Sequence, residues 1–166
     1  MANEILPYIE MCQREGVSLQ RGMNYELGGN HSVILMSVRP GAPYADRFED
    51  DGSTLVYEGH DIPRSSQHAD PKSFNQPEYI PSGNLTENGK FHRATQEFKT
   101  GRRPPERVRV YEKIKQGIWF YNGVFDWLIP GKSKATVAAF SSSNLQQLKV
   151  KKTSLFLFRR IRILGA

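Results

Sequence analysis

The sequence predicts an α+β fold: a curled β-sheet or β-barrel with flanking helices. Three observations carry this. Short apolar or alternating segments of strand length recur along the chain. Two segments have helical period and helix end signals. Pro, Gly, Asp and Asn gather between the segments rather than inside them. The 166 residues suit one core, with hydrophobic residues at 38% and charged residues at 24%, too apolar for a disordered chain.

Residues 3–14 predict a short helix, capped by Asn3, with Ile5, Tyr8, Ile9 and Cys12 at helical spacing and Gly16 ending it. It forms an N-terminal helical extension over 1–20, and residues 21–166 form the main domain. His31 to Val38 is an apolar run of strand length, stopped by Arg39-Pro40-Gly41-Ala42-Pro43. Thr54 to Tyr57 is a second strand, entered through the turn signal Asp51-Gly52. From Gly59 to Leu85 periodicity is lost among Pro63, Pro71, Pro77 and Pro81, the signature of a long functional loop. Asn88 to Lys99 predicts the stronger helix, with Phe91, Ala94, Thr95 and Phe98 on one face, Asn88 as cap and Gly101 as stop. Arg107 to Ile114 alternates as a strand. Gly117 to Leu128 predicts a strand, a turn at Tyr121-Asn122-Gly123 and a second strand; Thr153 to Ile163 predicts the last.

No apolar run approaches the roughly 20 residues that cross a bilayer, and the N-terminus carries acids where a signal peptide needs bases. One cysteine, Cys12, excludes an internal disulfide framework and a Cys-rich zinc site; the expectation is a reduced, cytoplasmic protein. The net charge of +6 is unevenly placed. Residues 1–89 hold 6 Lys/Arg against 13 Asp/Glu, residues 90–115 hold 9 against 3, and residues 127–166 hold 8 bases and no acid. A basic second half points to a polyanion, nucleic acid first.

No catalytic motif stands out. The histidines His31, His60, His68 and His92 lack metal-ligand spacing, and neither Gly89-Lys90 nor Gly131-Lys132 completes a phosphate loop. His60-Asp61 offers a base and its orienter, and Asp46, Asp50, Asp51 and Glu58 an acidic cluster for a hard cation. A metal-dependent hydrolase built on these stays open as an alternative. Turn chemistry accounts for the same residues, so the expectation is a binding module with no catalytic residue, no metal and no cofactor.

Five segments in order carry more. They are Pro43-Tyr44-Ala45-Asp46, Leu55-Val56-Tyr57-Glu58-Gly59, Leu85-Thr86-Glu87-Asn88 opening the long helix, Val108-Arg109-Val110, and Tyr121-Asn122-Gly123-Val124-Phe125. Together, from about Arg21 to about Ile163, they resemble the SRA (YDG) domain, which recognises modified cytosine in DNA. The signature's central Asp is Asn122 here, and Glu58 stands where the family often has Thr. The resemblance implies a PUA-like curled sheet or barrel and a base flipped out of double-stranded DNA into a pocket. Tyr44 and Tyr57 would stack on the base, Asp46 would accept from its amino group, and Glu58 would complete the pocket. Arg39, Arg64 and Gln67 lie on the loops that would enter the groove. Lys90, Arg93, Lys99, Arg102 and Arg103 would meet phosphates. The mark would be 5-methylcytosine or 5-hydroxymethylcytosine. The setting implied is bacterial, cytoplasmic and nucleoid-associated. The chain would be a stand-alone reader or the recognition domain of a modification-dependent restriction endonuclease, its nuclease domain C-terminal or in trans. An RNA-binding module on a PUA-like barrel is the remaining alternative.

Overall fold

The structure, a computed structural model, describes residues 4–42, 45–49, 52, 54–58, 77–129 and, for its backbone, 156–160. Its elements are β1 (Glu4–Pro7), α1 (Tyr8–Glu15), β2 (Met23–Leu27), β3 (His31–Met36), β4 (Arg47–Glu49), β5 (Thr54–Tyr57), α2 (Glu87–Lys99), β6 (Glu106–Lys115), β7 (Ile118–Ile129) and β8 (Phe156–Arg160). The fold is α+β, as the patterning indicates.

The first predicted helix is half strand. Pro7 forces Leu6 into an extended backbone, so residues 4–7 run as β1 and pair with Ile118 to Tyr121 of β7. Pro7 itself is the N-cap, at φ −66° and ψ 154°, in place of Asn3. The helix end is as expected: Gly16 takes φ 69°, and the amides of Gly16 and Val17 bond back to Gln13 and Cys12.

Helix α2 starts one residue earlier than its pattern suggests. Thr86, not Asn88, is the cap: its Oγ1 accepts from the Gly89 amide at 2.9 Å and donates to the Pro77 carbonyl at 2.8 Å. The single hydroxyl thus caps the helix and ties down the segment before it. Glu87 adds a second tie, accepting from the Tyr25 amide of β2 at 2.6 Å.

The strands form one mixed sheet in the order β2-β3-β6-β7-β8-β5-β4, with β1 beside β7; β3 and β6 are parallel and the other pairs antiparallel. Among the described strands no ladder joins β2 to β4, so the sheet does not close into a barrel. It does curl. Ser37, just past β3, hydrogen-bonds Asp46, just before β4, although those strands lie far apart in the sheet order.

The sheet is buried on both faces. Ile34, Met36, Val108, Val110, Leu55, Tyr57, Phe125 and Trp127 meet Phe91 of α2 on one face. Val33, Tyr111, Trp119 and Tyr121 meet Leu6, Met11 and Leu19 on the other. Strand β7 serves both cores because it changes parity midway. Tyr121 pairs with Tyr111, whereas Gly123 pairs with Val110, which leaves Asn122 as an extra residue. Residues 119 and 121 therefore face α1, and 125 and 127 face α2. So Tyr121-Asn122-Gly123 is a bulge inside one continuous strand, not a turn between two. The hairpin turn lies at Gln116-Gly117.

Candidate nucleic-acid interface

Asp46 is 7% exposed and lies where the two ends of the sheet meet. Its Oδ1 accepts from the Glu58 amide at 2.9 Å and its Oδ2 from the Ser37 amide at 3.1 Å. Glu58 returns the contact: its Oε2 accepts from the Ala45 amide at 2.7 Å. In the register that pairs Arg47 with Val56, Ala45 would stand opposite Glu58. There the hydrogen bonds described run to the two carboxylates, each holding the backbone beside the other. A carboxylate offers about four acceptor positions; these amides occupy two on Asp46.

Tyr57 belongs to the same seam but is buried in the α2-side core. Its hydroxyl packs on Gly22, where any Cβ would overlap it. Three of the four expected pocket residues, Asp46, Tyr57 and Glu58, are thus adjacent, but Glu58 holds backbone and Tyr57 packs in the core. Tyr44, the fourth, lies outside the described residues. So do Arg64, Gln67, the His60-Asp61 pair, and Asp50 and Asp51. Arg39 is exposed on the loop that leaves β3, and its Nε donates to Ser37 Oγ at 3.2 Å.

The basic residues divide. Arg103, expected at phosphate, is committed to the fold. It donates to the Tyr25 hydroxyl at 2.7 Å, to Glu106 at 2.5 Å and to Glu26 at 3.2 Å, with Glu97 at 3.9 Å. Burial of this knot pushes the Tyr25 hydroxyl up to about 12 and raises the Glu106 carboxyl, with the Glu26 carboxylate adding to both. Lys90 pairs with Glu87 at 2.5 Å and Arg93 with Glu97 at 3.1 Å. Both pairs are partly exposed, so they are weak and can be exchanged for phosphate. Lys99 and Arg102 are exposed and carry no ion pair among the described residues. Exposed Arg107 on β6, also unpaired there, joins them as a free cation.

Sequence reasoning missed one cluster. Glu15, at the end of α1, is fully buried against the opposite face of the sheet. It accepts from the Tyr111 hydroxyl and from Arg109 at 3.1 Å, and bonds His31 Nε2 at 2.5 Å. Burial opposes its charge, but these three partners outweigh burial and hold the carboxyl below its ordinary value. The signal available was Glu15 on the apolar side of the helix pattern, which gave no hint of its partners on β3 and β6.

Among the described residues, no group of three or more His, Cys, Asp or Glu side chains is arranged to hold a metal ion, and no helix is long and apolar enough to cross a membrane. Comparison with protein-family models, with curated proteins and with solved structures finds no match.

Proposed function

We propose that the chain binds double-stranded DNA carrying a modified cytosine, 5-methylcytosine or 5-hydroxymethylcytosine, by taking the base out of the helix into a pocket at the sheet's seam. The observation that carries this reading is the meeting of Asp46, Tyr57 and Glu58 where the two ends of the curled sheet approach. Those residues come from two of the five ordered segments that resemble the SRA domain, and a PUA-like SRA fold is part of the proposal. A buried, backbone-held carboxylate suits cytosine, whose exocyclic amino group donates. A flipped base must also exchange water for fixed partners, and a seam between sheet ends supplies them without opening the core.

Phosphate contacts then fall to the exposed cations that carry no ion pair among the described residues. Lys99, Arg102 and Arg107 lead, with Arg39 on the loop beside the seam. Lys90 and Arg93 can join by giving up their surface pairs, whereas Arg103 serves the fold. In this reading the chain is a recognition module, acting alone or with a nuclease domain C-terminal to it or in trans.

Titration with duplexes that differ at a single cytosine tests the reading. The modified duplex binds more tightly, on the order of 10-fold or more for a recess that admits one methyl group. Asp46→Ala removes that preference. Lys99→Ala with Arg102→Ala weakens all duplexes alike and flattens the plot of log affinity against log salt, by about 0.9 for each phosphate that is no longer neutralised. Equal affinity for modified and plain duplexes overturns the modified-base reading. Tighter binding of RNA in the same titration moves the function to an RNA-binding module, and cleavage of DNA with magnesium or manganese moves it to a hydrolase.

A further inference from the structure

We infer that Glu58 is the positioning residue that sets the aim of Asp46, rather than a contact to the base. The inference rests on the reading of Asp46 as the base reader. Its observation is separate: the two buried acids hold each other's backbone. Asp46 takes the amide of Glu58, and Glu58 takes the amide of Ala45, the residue immediately before Asp46. The Cα of Asp46 is therefore fixed from both sides. Its own side chain anchors it to the end of β5, and the Glu58 side chain anchors the preceding peptide to the same place.

Geometry makes this a matter of aim. Asp46 precedes β4, a strand of three residues paired only with β5 among the described strands. So short a strand fixes its own ends weakly. Without the Glu58 carboxylate, the Ala45 amide loses its acceptor and the peptide before Asp46 is free to turn. The Asp46 carboxylate, which accepts from the Ser37 and Glu58 amides, would then shift with its backbone. A reader of hydrogen bonds must be held to within a fraction of an ångström and about 10–20° of its working direction, so that freedom costs selectivity before it costs affinity. The phosphate contacts lie elsewhere and supply affinity that does not depend on the base.

Three variants of the full chain separate aim from folding. Glu58→Gln keeps an acceptor of the same reach for the Ala45 amide. Glu58→Ala removes it. Glu58→Asp keeps the charge but draws the carboxylate back by one methylene, out of reach. Each is titrated with modified and plain duplexes, and its fold is followed by circular dichroism and thermal melting. The expected result is that Glu58→Ala and Glu58→Asp lose at least 10-fold in the ratio of affinities for modified over plain DNA, while binding to plain DNA changes less than about 2-fold. Glu58→Gln retains most of the ratio. If Glu58→Ala does not fold, Glu58→Asp against Glu58→Gln decides. The inference is overturned if the folded Asp variant discriminates as the wild type does, or if Gln loses as much as Asp. It is overturned too, together with the reading it rests on, if the wild type does not discriminate. If Asp46→Ala abolishes the ratio and the Glu58 variants do not, the base-reading role stands and the positioning role alone fails.

Discussion

Gly22 and Tyr57 show how one pair of residues holds the curl. Gly22 precedes β2 and Tyr57 ends β5, so their contact spans the gap between the ends of the sheet. The backbone of Gly22 needs no unusual φ; glycine stands there because the Tyr57 hydroxyl occupies the place of a Cβ. Its carbonyl meanwhile accepts from the Leu35 amide at 2.8 Å, so the peptide cannot retreat. Gly22→Ala must push the ring, at a cost of about 1–3 kcal/mol, the range for overpacking a filled core. Tyr57→Phe removes the obstructing oxygen. In a double-mutant cycle followed by urea denaturation, Gly22→Ala should cost much less when combined with Tyr57→Phe than in the wild type. Equal cost in both backgrounds would show that the contact does not set the glycine. The chain displays Gly22 only as a glycine after Arg21. Its reason lies in a strand far downstream, which no local pattern reveals.

Strand β7 is the element on which the two cores depend. Its first half, residues 118–121, has β1 on its free side, and its second half, from Phe125, has β8. The change of partner coincides with the bulge at Asn122, where Gly123 takes φ 97°, a conformation that favours glycine. Deleting Asn122 makes Tyr121 and Gly123 neighbours, opposite the neighbours Tyr111 and Val110, so strict alternation by itself puts Trp119 and Tyr121 on one face and Phe125 and Trp127 on the other. All four then keep their buried places, so the deletion should retain cooperative unfolding and near-ultraviolet circular dichroism; loss of both would show that β7 needs the extra residue for more than parity. The sequence shows why this element was half legible. Tyr121-Asn122-Gly123 marks a place where the backbone takes positive φ, and Asn-Gly serves a hairpin turn as readily as a bulge. What decides between them is β6, which pairs with both halves, and pairing is not a local property. Pro7 is the converse. Its stereochemistry is wholly local, and weighing its effect on Leu6 gives the start of α1 directly.

For the whole molecule, the uneven charge was legible and its allocation was not. The basic second half is plain in the chain, yet Arg103 and Arg109 are tied to buried carboxylates, and only a subset of the bases stays free for a polyanion. Which base meets which acid depends on how α1 and α2 lie on opposite faces of the sheet. The same arrangement gives the protein opposed responses to pH. Glu106 has a raised carboxyl, so folding gains stability as pH falls through that raised value toward the ordinary 4.5. Glu15 has a lowered carboxyl. Its contribution is complete above 4.5, the ordinary value in the unfolded chain, and is lost as pH falls through the lowered value in the fold. Glu15 is therefore a buried group, among the described residues, that makes the native state acid-labile. Glu15→Gln keeps the side chain's shape but weakens its bonds to Tyr111, His31 and Arg109, costing about 1–3 kcal/mol at pH 7. For a chain of this size each kcal/mol lowers the melting temperature by about 2–4 °C. The gap between wild type and variant should be full at pH 7, begin to narrow below pH 4.5, and be smallest at the acid end of the transition. Thermal melts from pH 7 to pH 3 measure it, and a gap that stays constant over that range would mean that the Glu15 charge does not hold α1 to the sheet.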